Sequence, residues 1–298
     1  MLVQVSPLTY LPRLAQALLR LSYRPLPQTT LELVEEALAT ARQVDRSEPK
    51  REEILVSALN AYQRELYTLG RREAGFAVRE EMAETGRLAH SAGRVASPAH
   101  GLDPLAAALA EEGRYAEAAA AYQRLVEAER ADNNQYLQRG WNLINWAAAL
   151  EAAGQHAAAL DAFTELVADT RHRLQEDRVQ LSTAVLQLIR LSQLLDAHGE
   201  HVQARGAREE VGTLLAELDR TGERRRWGFD HSLWVVLLAW SGRADEQPLP
   251  GEPTPPFGHH VSWSPDLRQS YLEGRSAIAA AVAELAPWHG PTPTACPN

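Results

Sequence analysis

The stretch Leu102-Asp-Pro-Leu-Ala-Ala-Ala-Leu-Ala-Glu-Glu-Gly113-Arg-Tyr115-Ala-Glu-Ala118-Ala-Ala-Ala-Tyr122-Gln-Arg-Leu-Val-Glu-Ala128 reads as helix, turn, helix. Both flanks are rich in strong helix formers, and their apolar residues return at helical spacing. Gly113 between them suits the left-handed conformation that ends a helix without a Cβ penalty. Working outward, a glycine follows four other apolar helical stretches. The series Gly70, Gly113, Gly154, Gly199 and Gly242 has intervals of 43, 41, 45 and 43 residues. A period of this length marks stacked copies of one supersecondary unit. It favours an extended binding surface over a catalytic pocket.

The copies agree beyond the glycine. Five residues after it stand Gly75, Ala118, Ala159 and Ala204, small enough to let the second helix lie close to the first. Two residues after it stand Arg72, Tyr115, His156 and His201; nine after it stand Arg79, Tyr122, Phe163 and Arg208. Gly113, Tyr115, Ala118 and Tyr122 match four positions of the tetratricopeptide repeat (TPR), which the chain resembles over roughly residues 50–242. Gly154, Ala159 and Phe163 match three, while the Gly70 and Gly199 copies place arginine at the second aromatic site. The period exceeds the usual TPR length of about 34 residues and looks like extended-helix variants; armadillo- or HEAT-like repeats of about 40–47 residues stay open.

The resemblance implies an all-α, right-handed α-solenoid of antiparallel helix pairs. The expected organisation is a repeat array over 1–242, with a divergent first pair at 8–46 and the clearest repeats at 97–221. A Pro-rich connection at 243–264 and a C-terminal capping helix with tail at 265–298 follow. The expected pairs are 8–21 with 30–46, 48–69 with 73–92, 103–112 with 115–131, 135–153 with 156–175, and 178–198 with 201–219. A helix at 229–241 would begin a sixth unit. Thr30 is the expected N-cap of its helix, and Leu181, Val185, Leu188, Leu191 and Leu195 form a strong apolar stripe. Trp227, Trp234, Trp240, Trp263 and Trp288 cluster near the C-terminus, as cap packing or as a ligand or partner site.

Composition narrows the function. The formal net charge of −9 argues against nucleic-acid binding, which wants a basic surface. Arg224-Arg225-Arg226 beside Trp227 reads as a solvated turn, or as a phosphate or acidic-partner contact. The single cysteine, Cys296, leaves no internal disulfide framework and fits a reducing cytoplasm. Leu233–Trp240 falls far short of the ~20 apolar residues that cross a membrane. No phosphate loop, dinucleotide fingerprint, His-Glu-x-x-His or nucleophile elbow occurs, so no cofactor or metal is expected. His198 with His201 and the pair His259-His260 read as surface rather than metal sites.

In TPR proteins the first helix of each pair lines the groove. Counting back from the turn glycine as the fifteenth repeat position, the resemblance puts Asn60, Arg64 and Tyr67 on that face in the Gly70 repeat. It adds Trp141 and Asn145 in the Gly154 repeat, and Arg190 and Gln193 in the Gly199 repeat. An asparagine amide both donates to and accepts from peptide backbone, arginine forks onto carboxylates, and flat aromatics offer contact area at low entropy cost. The leading expectation is a non-catalytic scaffold or adaptor for a protein or peptide partner. A peptide- or small-ligand-responsive regulatory sensor acting through a partner, of the kind found in bacterial signalling proteins with resembling arrays, is the second. An enzyme or enzyme subunit built around Asp230, His231 or His260 is the third, and self-assembly into a homo-oligomer stays open.

Overall fold

The computed structural model describes residues 6–22, 30–131, 136–176 and 181–221. Among them it contains ten α-helices and no strand: α1 (Pro7–Ser22), α2 (Thr30–Gln43), α3 (Arg51–Thr68), α4 (Arg72–Ser91), α5 (Asp103–Glu111), α6 (Tyr115–Arg130), α7 (Tyr136–Ala152), α8 (His156–Glu176), α9 (Leu181–Ala197) and α10 (His201–Thr221). The expected helix at 229–241, the Pro-rich connection, the capping helix, Gly242, the tryptophan cluster, the arginine cluster and His259-His260 lie outside the described residues.

The turn glycines do what the sequence asks of them. Gly70, Gly113, Gly154 and Gly199 have φ of 72°, 73°, 75° and 78°. At three of them the next amide reaches back five residues: Arg71 to the Leu66 carbonyl, Gln155 to Leu150 and Glu200 to Leu195, each at 2.8 Å. That bond occupies a carbonyl which the helix end would leave unpaired, and it fixes a short, sharp reversal. Gly93 ends α4 in the same way, with Arg94 donating to Ala89 at 2.9 Å. Thr30 opens α2 as a helical residue rather than standing before it as a cap, a displacement of the size by which helix ends ordinarily vary.

The chain divides into two compact units, Met1–Leu109 with Ala120–Asn133, and Ala110–Ala119 with Asn134–Asn298. In the first, α1 packs on α2, and α3 packs on α4, α2 and α1. Their apolar stripes make one core from Ala15, Leu19, Val34, Leu38, Ile54, Leu59, Leu66 and Met82, all buried. Glu52 locks the margin of this unit. Its Oε1 accepts from Arg51 at 3.1 Å and from Arg94 at 2.6 Å, while Arg51 Nε donates to the Val44 carbonyl at 3.0 Å. The end of α2, the start of α3 and the turn after α4 are thereby tied together.

In the second unit α7 packs on α8, and α9 packs on α8 and α10. The expected stripe Leu181, Val185, Leu188, Leu191 and Leu195 is buried throughout. The close-contact positions behave as their size predicts: Ala159 and Ala204 are wholly buried. In the first unit a Cβ on Gly75 would stand 2.5 Å from the Tyr67 ring.

Second helices of successive pairs are also joined across their exposed faces. Arg42 on α2 forks onto Glu81 on α4, with both contacts at 2.9 Å. Arg171 on α8 does the same to Glu210 on α10, at 2.5 to 3.1 Å. Glu81 and Glu210 stand at the same distance past their turn glycines, so the two bridges mark one register in two different pairs. Exposed pairs of this kind contribute about 0–1 kcal/mol each, so they align helices more than they stabilise them.

Candidate functional site

The face expected to meet a partner runs along the first helix of each pair. In α3 it carries Ser57, Asn60, Arg64 and Thr68. Asn60 is half-buried and the other three are exposed. This helix therefore has one polar stripe open to solvent, opposite the stripe that enters the core.

Three of the expected residues lie here, in different situations. Arg64 is exposed. Asn60 Oδ1 accepts from Gln63 Nε2 at 2.9 Å, and Gln63 Oε1 accepts from Arg79 Nε at 2.7 Å. The Arg79 guanidinium lies 3.6 Å from the centroid of the Tyr67 ring. Tyr67 is half-buried against Gly75 and under this cation, so its ring is engaged by its own fold. The network explains the arginine at the aromatic site. Tyr122 and Phe163 fill that site with a fully buried ring, whereas Arg79 fills it with a buried guanidinium held by an amide and a π face.

The Gly199 copy solves the same problem differently: Arg208 pairs with Asp196. Asp196 and Tyr67 occupy the same place, three residues before their glycines. His201 also reaches Asp196, with Nδ1 at 3.1 Å from Oδ1.

Asn145 and Arg190 lie in the interior rather than on an open face. Both stand nine residues before their glycines, where the Gly70 repeat has the buried Ala61. This position points along the stack of first helices. Arg190, 4% exposed, pairs with Glu151 on α7 and so joins the two first helices of the unit. Asn145 is fully buried, and neither of its amide atoms has a hydrogen-bond partner. Gln193 is half-buried, 3.5 Å from Arg190. Trp141 falls within α7, but its side chain is outside the described residues.

The counterparts of the open stripe change character in the second unit. Ile144 and Ala148 on α7 and Leu186 and Ile189 on α9 are buried, whereas Gln193 at the Arg64 position is half-buried, and Ala152 and Ala197 at the Thr68 position are exposed. Sequence reasoning missed this switch, although the replacement of polar by apolar residues at matching positions was there to read. It also missed Ser57 and Thr68, the outer members of the open stripe.

No group of three or more His, Cys, Asp or Glu side chains among the described residues could hold a metal ion. Two surface depressions are shallow. One of about 500 Å³ is lined by Arg13, Gln16, Ala17, Arg20 and Leu21, and one of about 260 Å³ by Gly113 to Glu117 with Ala153. No described helix is long and apolar enough to cross a membrane. Asp230, His231 and His260 lie outside the described residues.

The fold has relatives among solved structures. A Podosopora anserina protein described as a kinesin light chain with nearly identical TPR-like repeats is 18% identical, matching 72% of this chain and 100% of its own, with a TM-score of 0.52. BtubC (BKLC) from P. vanneervenii is 16% identical, matching 76% of this chain and 89% of its own, with a TM-score of 0.56. No protein-family model and no curated protein matches the chain. At such identity the likeness speaks for the fold, which is an all-α, TPR-like helical repeat.

Proposed function

We propose that the chain is a non-catalytic adaptor whose α3 face holds an extended, carboxylate-bearing segment of a partner protein. The observation that carries this reading is the polar stripe Ser57, Asn60, Arg64 and Thr68, with Asn60 half-buried and the other three exposed. Arg64 supplies a planar fork for a carboxylate. Asn60, steadied through Gln63 and Arg79, presents an amide suited to peptide backbone. Pre-ordering that amide in the free protein lowers the entropy cost of binding. On α1, which packs on α3, Arg13 and Arg20 are exposed and add positive charge to the same unit of an otherwise acidic protein. The TPR-like fold is compatible with a recognition surface of this kind.

The test is a pull-down from the source cell's lysate at two salt concentrations, comparing wild type with the double variant Asn60→Ala/Arg64→Glu. Circular dichroism first establishes that both are folded. A protein retained by wild type, weakened by salt and lost at least about tenfold by the variant is the expected outcome. Equal recovery by both would remove α3 as the working surface.

A further inference from the structure

Successive turns of the second unit meet at matching points. Tyr115, two residues after Gly113, and Ala153, just before Gly154, line the same shallow depression of about 260 Å³. Both belong to the second unit. One repeat further on, the same two places hold His156, two residues after Gly154, and His198, just before Gly199. Their ring centroids are 6.3 Å apart. The stacking of one turn on the next therefore sets these two side chains together, as it does Tyr115 and Ala153. What changes is the chemistry: a phenol and a methyl group give way to two imidazoles.

Both rings are open to a ligand. The two histidines are exposed, and neither is hydrogen-bonded or ion-paired within the fold. His201 at the same turn differs, because Asp196 engages its Nδ1 and also pairs with Arg208. A neutral imidazole offers one nitrogen lone pair in the plane of its ring and suits Zn²⁺, Ni²⁺ and Cu²⁺. Reach decides whether one ion can serve both rings. With a metal–nitrogen bond of about 2.0–2.1 Å and a ring nitrogen ~1.2 Å from its centroid, two imidazoles sharing an ion have centroids ~6.5 Å apart when opposite and ~5.3 Å apart at a tetrahedral angle. The observed separation falls inside that range. An approach of about 1 Å, within the freedom of exposed side chains, reaches the tetrahedral end. The 62° between the ring planes is no obstacle, since each ring turns about its own bond to the metal. No third His, Cys, Asp or Glu among the described residues completes the set, so water fills the other positions and the ion exchanges readily.

We propose that His156 and His198 form a labile two-imidazole site for a divalent transition metal, Zn²⁺, Ni²⁺ or Cu²⁺. The bound ion staples the start of α8 to the end of α9 and so joins two successive repeats at their turns. The site lies in the second unit and is independent of whichever partner α3 takes.

The test is amide exchange of the full chain, read by mass spectrometry with and without Zn²⁺, and with Mg²⁺ as the control ion. Wild type is compared with His156→Ala, His198→Ala and the double variant. Both side chains are exposed, so these changes leave the packing intact. The chain has ten histidines, so the readout is local, over the peptides spanning 150–160 and 194–204. Zn²⁺ is expected to slow exchange there at least about fivefold in wild type. Either single substitution is expected to abolish the whole effect, because two linked donors hold an ion far more tightly than one. Unchanged exchange in wild type overturns the proposal. Slowing that survives one substitution overturns it, because a single imidazole then suffices, and slowing that survives both places the ion elsewhere. Slowing lost on dilution of the protein at constant Zn²⁺ overturns it in favour of an ion shared between two copies. An equal effect of Mg²⁺ overturns it as well, because imidazole ligation would not then be the cause.

Discussion

Asn145 is a polar side chain at 0% exposure with both amide atoms unpartnered. Burying an amide without hydrogen bonds costs about 1–3 kcal/mol by mutational measures, and replacing it with an apolar group of similar shape removes that cost. Asn145→Leu is therefore expected to leave stability unchanged or raise it by about 1–2 kcal/mol in chemical denaturation. A loss greater than about 1 kcal/mol would mean that the amide is bonded in solution, by water or by a ligand. Arg190 differs, because removing it would strand Glu151, 29% exposed, beside a vacated interior site. Both residues were legible in the sequence as polar members of a first helix, but not as interior ones. The missing signal was Ala61, which holds the equivalent place in the Gly70 repeat and marks it as tightly packed. Arg79 and Arg208 were legible as departures from the aromatic pattern. What satisfies them, a tyrosine face in one copy and a carboxylate in the other, follows from residues three before the glycine that sequence comparison gave no reason to pair with them.

The helix ends are governed by two separable costs, and the glycines tell them apart. A Cβ on Gly154 would meet nothing within 4 Å, so Gly154→Ala brings only the left-handed backbone penalty. That penalty is about 1–2 kcal/mol. Gly86 lies inside α4 with ordinary helical backbone, but a Cβ there would stand 1.7 Å from the His100 carbonyl oxygen. Gly86→Ala must push backbone aside and is expected to cost about 3 kcal/mol or more. Thermal or urea denaturation of the two variants checks the order, and a Gly154 variant costlier than the Gly86 variant would contradict it. The turn glycines were legible because their spacing repeats and their physics is local. Gly86 and Gly101 were not, since neither falls on the period. Gly86 is needed because the 97–102 segment folds back on α4, while Gly101 has φ of 77° and a Cβ on it would stand 3.0 Å from the Met82 carbonyl oxygen.

Stacked helix pairs draw their stability from neighbours in sequence, so a local defect need not spread through the array. Among the described residues, the strong helix contacts within each unit join elements no more than two apart: α1 to α2 and α3, α3 to α2 and α4, α7 to α8, and α9 to α8 and α10. The repeat period announced that arrangement in advance. The burial of Ile144, Ala148, Leu186 and Ile189 was not announced by the period. Gly86→Ala supplies the test. A defect of about 3 kcal/mol confined to the first unit raises amide exchange there by about a hundredfold, at 1.4 kcal/mol per factor of ten. Hydrogen-exchange mass spectrometry is expected to show that rise in α2, α3 and α4, with core amides of α9 and α10 changed less than about threefold. A uniform rise across all of them would mean that the chain opens as one cooperative body. Independence would mean that the polar α3 face is tuned separately from the second unit. A partner binding to α3 would then leave the second unit unchanged, and exchange measured with partner bound would show protection gained in the first unit alone.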